Sequence, residues 1–160
     1  MNMSISLYQL IKLLHLLGVI LFIGNIIVTA LWKLMADRTR EPGVVAFGQR
    51  LVTITDLVFT GLGAGLIFVT GLTMAATADE PLWKARWLVW GFGLFTISGL
   101  IWVTALIPIQ VKQSNLARLF AKNGNIPASY WRLGRLWMIF GLVATVLPLL
   151  NLYFMVFKPM

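Results

Sequence analysis

Four apolar runs separated by charged connections set the pattern of this chain. The first, Leu13 to Trp32, lies between Lys12 and Lys33. Its roughly 20 positions at about 1.5 Å each match a hydrocarbon core of about 30 Å. Read the same way, the chain predicts helices over about 7–32, 51–76, 83–107 and 136–157. At heptad spacing the first helix puts Tyr8, His15, Gly18, Phe22, Asn25, Thr29 and Trp32 on one side, while Leu14, Leu17, Leu21 and Ile27 fall elsewhere. The second carries a similar stripe of Gln49, Thr53, Asp56, Thr60, Gly63 and Thr70. Lipid supplies no hydrophobic force between helices, so small and hydrogen-bonding residues mark the sides that pack on protein. Gly61 and Gly65, one turn apart, are expected to admit a neighbouring backbone. The expected fold is an all-α integral membrane protein, a bundle of four transmembrane helices forming a single domain over residues 1–160.

The connections sharpen this outline. Lys33 to Glu41 is closed by the breaker pair Pro42-Gly43, and Thr77 to Pro81 holds Asp79 and Glu80. Trp83, Trp87 and Trp90 recur at i, i+4 and i+7, which predicts an aromatic belt at the membrane boundary. Pro108 is expected to mark the exit of the third crossing. After it, Gln110 to Arg135 reads as a basic connection with a short surface helix over 112–122 and a turn at Asn123-Gly124-Asn125.

Composition then fixes the class. Of 160 residues 59% are hydrophobic and 11% charged, and the mean hydropathy is +0.88, a membrane composition. The net charge of +8 does not point to nucleic acid, because the basic residues gather in connections. Lys33, Arg38, Arg40 and Arg50 follow the first helix, and Lys112, Arg118, Lys122, Arg132 and Arg135 follow the third. The loop between helices two and three has only Lys84 and Arg86. The positive-inside rule therefore puts both basic connections in the cytoplasm and both termini in the periplasm of a bacterial inner membrane. The first helix is too long for a signal peptide and lacks a small-residue cleavage pattern, so it reads as retained. With no cysteine, disulfides and thiolate metal sites are excluded.

Ionisable residues inside a bilayer are costly and therefore candidates for function: here His15, Asp56 and Lys12. His15 is expected about 12 Å inward from Leu7, at a depth that Thr70, Thr96 and Asn151 also reach. With Tyr8 and Tyr153 these side chains would form a polar pocket open to the periplasm. The imidazole is either a hydrogen-bonded structural group or a ligand for a cofactor or proton, and Lys12 either approaches it or snorkels. Asp56 lies at the depth of Asn25 and Thr29. It is expected to pair with Arg50, Arg132 or Arg135, or to serve a proton or transport path with His15. One imidazole without cysteine does not make a zinc or copper centre within one chain, so His15 as a metal ligand implies a cofactor.

Several strings occur in one order along nearly the whole chain: Lys12-x-x-His15-x-x-Gly18, Met35-Ala36-Asp37-Arg38-Thr39, Asp56-x-x-Phe59-Thr60, Thr70-Gly71-Leu72, Pro108-x-Gln110, Pro127-x-x-Tyr130-Trp131-Arg132-Leu133 and Lys158-Pro159. Together they resemble a bacterial family of predicted integral membrane proteins of unknown function with four crossings. The lysine and histidine before glycine in the first helix also look like the opening helix of copper-resistance CopD proteins and HemJ-type protoporphyrinogen oxidases. That second resemblance implies that His15 is an axial ligand of haem b, with Lys12, a methionine or the His15 of a second copy opposite. The expected roles are thus cofactor binding at His15, Lys12, Tyr8 and Asn151, or service as an assembly subunit or small transporter. Homo-oligomers through glycine-bearing faces, and a possible partner in a membrane complex, accompany these readings.

Overall fold

The computed structural model describes residues 5–77 and 84–158, so the expectations for Asp79, Glu80, Trp83 and Pro159 fall outside the described residues. Four helical spans are long and apolar enough to cross a membrane: Leu7–Thr39, Pro42–Ala76, Arg86–Asn123 and Ala128–Phe157. All four run further than the expected 7–32, 51–76, 83–107 and 136–157, or start elsewhere. The first helix, α1, covers Ile5–Thr39, 35 residues or about 52 Å of rise. Lysine and arginine are good helix formers, so the charges taken to end the spans instead ride on helix that projects past the hydrocarbon. Arg38, Arg50, Arg132 and Arg135 are exposed on such extensions.

The second and third spans are each interrupted by one wide turn without ending. Pro42–Thr55 (α2) passes through a π-turn at Asp56–Thr60 into α3, Gly61–Ala76. Arg86–Ile101 (α4) passes through a π-turn at Trp102–Leu106 into α5, Ile107–Asn123. Pro108 therefore does not end the helix, and residues 112–122 are no separate surface helix but its continuation. An ordinary turn would press the proline ring onto the carbonyl of Thr104, and the wider turn just before it relieves that clash. The expected turn after Asn123 is present, with Gly124 at φ 71° donating its N–H to the Phe120 carbonyl at 2.8 Å.

The last helix, α6, covers Ala128–Phe157 and contains Pro148. Proline has no N–H for the carbonyl four residues back. Ser98 on α4 supplies the missing donor, its Oγ giving a hydrogen bond to the Ala144 carbonyl at 2.8 Å. Lipid offers no water to do so, and a proline is tolerated in a spanning helix only with such a substitute.

The bundle consists of two pairs joined at one end. In the half nearer the chain termini, α1 packs on α3 and α4 packs on α6. Glycines set these close approaches: a Cβ on Gly63 would stand 2.8 Å from the Phe22 nitrogen, and one on Gly91 would stand 2.8 Å from Asn151 Oδ1. Among the described residues, α4 has no backbone packing against α1 or α3. The tilted rings of Phe22 and Phe95, 6.1 Å apart, meet across the gap. At the basic end α2 packs on α1 and α5, and α5 on α6, around a core of Val45, Ala117, Phe120 and Tyr130. The expected backbone approach at Gly61 and Gly65 is made by Gly63 instead, because Gly63 faces α1. Gly61 looks toward Trp102, and Gly65 opens onto free space.

Candidate functional site

The polar stripes read from the sequence do turn inward. On α1, Gly18, Phe22, Asn25 and Thr29 are buried, and on the second span so are Gln49, Asp56, Thr60, Gly63 and Thr70. What they meet differs from the expectation in one central respect. Asp56 has no arginine partner: Arg50, Arg132 and Arg135 are exposed, and Lys33–Asp37 is the ion pair found among the described residues. Asp56 Oδ1 instead accepts from Asn25 Nδ2 at 3.2 Å and from Thr60 Oγ1 at 2.9 Å, while Oδ2 accepts from Gln110 Nε2. Asn25 also donates to Thr60 at 2.9 Å. The π-turn brings Thr60 over Asp56, and α5 carries Gln110 in from the other side. Thr29 turns its hydroxyl back to the Asn25 carbonyl at 2.7 Å and takes no part in an ion pair.

A second buried charge was not singled out by the sequence reading, which counted it only as an orientation signal. Lys33 is 2% exposed. Its ammonium donates to Gln49 Oε1 at 2.8 Å and to the Tyr130 hydroxyl at 3.0 Å, and lies 3.2 Å from Asp37 Oδ2. Three helices thereby converge on one cation, and its three protons are all taken. The rings of Tyr130 and Trp137 stand 5.0 and 5.8 Å from the nitrogen. The available signal was a polar row at every fourth position of α1: Asn25, Thr29, Lys33, Asp37.

His15 sits between α1 and α3, half-buried, with its Nδ1 2.9 Å from Thr70 Oγ1 and its ring edge over Gly71. The Thr70 hydroxyl proton is directed at the Leu66 carbonyl. With that proton committed, Thr70 Oγ1 is free to serve as an acceptor for the imidazole at Nδ1. The expected companions do not gather there. Lys12 and Tyr8 are exposed, as are Thr96 and Tyr153. Asn151 is buried, but in the other helix pair against Gly91, with its Oδ1 unpaired. The reason is the gap itself, which holds the terminal half of α6 away from α1.

That gap is a cavity of about 640 Å³, within the range of small-molecule sites. Asp56, Thr60 and Trp102 line it, and Phe22 and Phe95 flank it toward the terminal end. Small residues widen it: Ala64, Gly65, Gly99 and Gly141 all line it, and a Cβ on any of these three glycines would meet open space. Its rim carries Ile27, Phe68, Val103 and Leu142, each 47% to 67% exposed. Such a rim in a membrane-spanning chain opens to lipid. The cavity does not include His15, and along α1 the ten residues from His15 to Asn25 separate the two groups by about 15 Å. The arrangement can hold an apolar body sideways from the bilayer and offer one carboxylate to its polar end.

No curated protein and no solved structure matches the chain. A family model does match, over residues 9–159, and its description agrees with the four apolar spans seen here. The chain belongs to the family described as Predicted integral membrane protein (DUF2269).

Proposed function

We propose that this integral membrane protein binds a hydrophobic molecule within the bilayer, in the cavity between its two helix pairs, with Asp56 as the polar anchor. One observation carries the reading: an apolar cleft of about 640 Å³ has a buried carboxylate in its wall. A cleft made only by imperfect packing would have no reason to be lined by the most expensive group available to it. With the basic end placed in the cytoplasm of a bacterial inner membrane by the positive-inside rule, the anchor lies in the inner half of the bilayer.

The test is chemical analysis of what the protein carries. Wild type purified in lipid nanodiscs should retain a hydrophobic molecule enriched over bulk lipid on extraction and mass spectrometry. Gly141→Phe, which fills the cavity from an open position, should lose it. Extracts of the two proteins identical to each other and to bulk lipid would overturn the reading.

A second reading, haem at His15, has its own observation. Metal-binding histidines usually have the other ring nitrogen fixed by a hydrogen bond, and Thr70 fixes Nδ1 here. Lys12 and Tyr8 are exposed and do not gather at the imidazole, so the second axial ligand would be a methionine or the His15 of a second copy, the latter with a homo-oligomer. A Soret band in haem-supplemented protein that disappears in His15→Ala supports this. No band in the wild type removes it.

A further inference from the structure

The head group of the cavity's ligand can be read from the charges around it. We propose that the ligand is a cationic amphiphile, with an ammonium head at Asp56 and an aliphatic body in the cleft. This rests on the cavity being the binding site. Asp56 is 6% exposed, and its three hydrogen-bond donors, Asn25, Thr60 and Gln110, are all neutral. A carboxylate has about four acceptor positions, so one remains, on a residue that lines the cavity.

The other buried charge shows what balance looks like in the same molecule. Lys33 has Asp37 at 3.2 Å, whereas no cation among the described residues reaches Asp56. A buried charge of either sign is expensive without its counterpart, and here the cavity is the one side from which a counterpart can arrive.

A second feature points the same way. Trp102, Trp137 and Phe95 line the cavity. The indole N–H groups of both tryptophans are enclosed, so they do not face the cavity and the rings present carbon to it. One side of Trp137 is already engaged with Lys33, which leaves Trp102 as the lining indole free of such a contact for a head group at Thr60 and Asp56. Aromatic faces attract organic cations, most strongly where water is excluded. From Thr60 toward the terminal end the wall that α3 supplies is apolar through Gly61, Ala64, Gly65 and Phe68, eight residues or about 12 Å of helix. A medium alkyl chain matches that length.

Binding of radiolabelled decylammonium, whose head keeps its N–H donors, to protein in nanodiscs of zwitterionic lipid tests the proposal, with decanol as the neutral probe of equal chain length. Wild type should bind the cation. Asp56→Asn should weaken that binding tenfold or more while leaving decanol binding within twofold, and Asp56→Glu, which keeps the charge, should stay close to wild type. Thermal unfolding of each variant confirms that it is folded. Equal cation binding by wild type and Asp56→Asn, or equal loss of both probes in Asp56→Asn, would overturn the head-group assignment. Gly141→Phe separates the two levels of the argument. If it abolishes both probes, the cavity is the site whatever the head group. If both still bind, the cavity reading fails and this proposal fails with it.

Discussion

Lys33 and Asp56 are the two charges that the bundle buries most completely, and they are handled in opposite ways. Lys33 stands where α1, α2 and α6 converge, with a carboxylate, an amide oxygen and a phenol around it, and it lines neither the cleft nor the hollow that its partner Asp37 borders with Arg38, Arg40 and Trp131. Asp56 stands where the two helix pairs part, with three neutral donors around it and a cleft of about 640 Å³ in front of it. A buried charge that is neutralised by its neighbours serves the fold, because removing it breaks every bond that it makes. A buried charge left without a counterion and facing open space is costly for the fold, and its retention is the mark of a site.

This contrast can be broken most sharply at Lys33. Lys33→Met keeps the length of the side chain but leaves Gln49, Tyr130 and Asp37 without their shared partner. Loss of one member of a buried pair costs about 3–5 kcal/mol, so denaturant or thermal unfolding in detergent should show a severe loss or a failure to accumulate. A near-neutral result would mean that Lys33 is not the structural charge. Tyr130→Phe removes one hydrogen bond to the ammonium and keeps the ring packed on Phe120, whose centroid is 5.1 Å away. Its expected cost, by the same measurement, is about 1–3 kcal/mol. The smallest effect belongs to Asp56→Asn, where an amide still accepts from Asn25 and Thr60, and Gln110 can turn its oxygen toward the new donor. Unfolding should shift by less than about 1 kcal/mol while ligand binding falls. A loss of stability as large as that of Lys33→Met would erase the distinction and make Asp56 a second structural charge.

Much of this organisation was legible in the residues. Except for Tyr8, which is exposed, the heptad stripes of α1 and the second span lie on buried or half-buried faces, because in lipid the small and polar side is the side that packs. Of the three residues expected at one depth, Asn25 and Asp56 do meet, while Thr29 turns back onto its own helix and Thr60 takes the place beside them. Lys33 escaped notice because a lysine at the end of an apolar run is an ordinary boundary marker, and its capture depends on Tyr130, 97 residues further on. The pairing of Asp56 with an arginine failed for a related reason. Charge complementarity can be counted along a chain, but the π-turn that points Asp56 at Gln110 cannot.

The sequence by itself determined that this is a membrane protein of four helices, which sides of them face protein, and which few polar groups lie at what depth. Those properties follow from side-chain period and from the cost of leaving polar groups in hydrocarbon, both of which are local. The tertiary structure alone decided that the helices form two pairs with a gap between them, that α6 stands away from His15, and that one buried charge has a counterion and the other has none. These outcomes depend on glycine contacts and on wide turns that set how helices lean, and such angles are fixed only when distant parts of the chain come into contact.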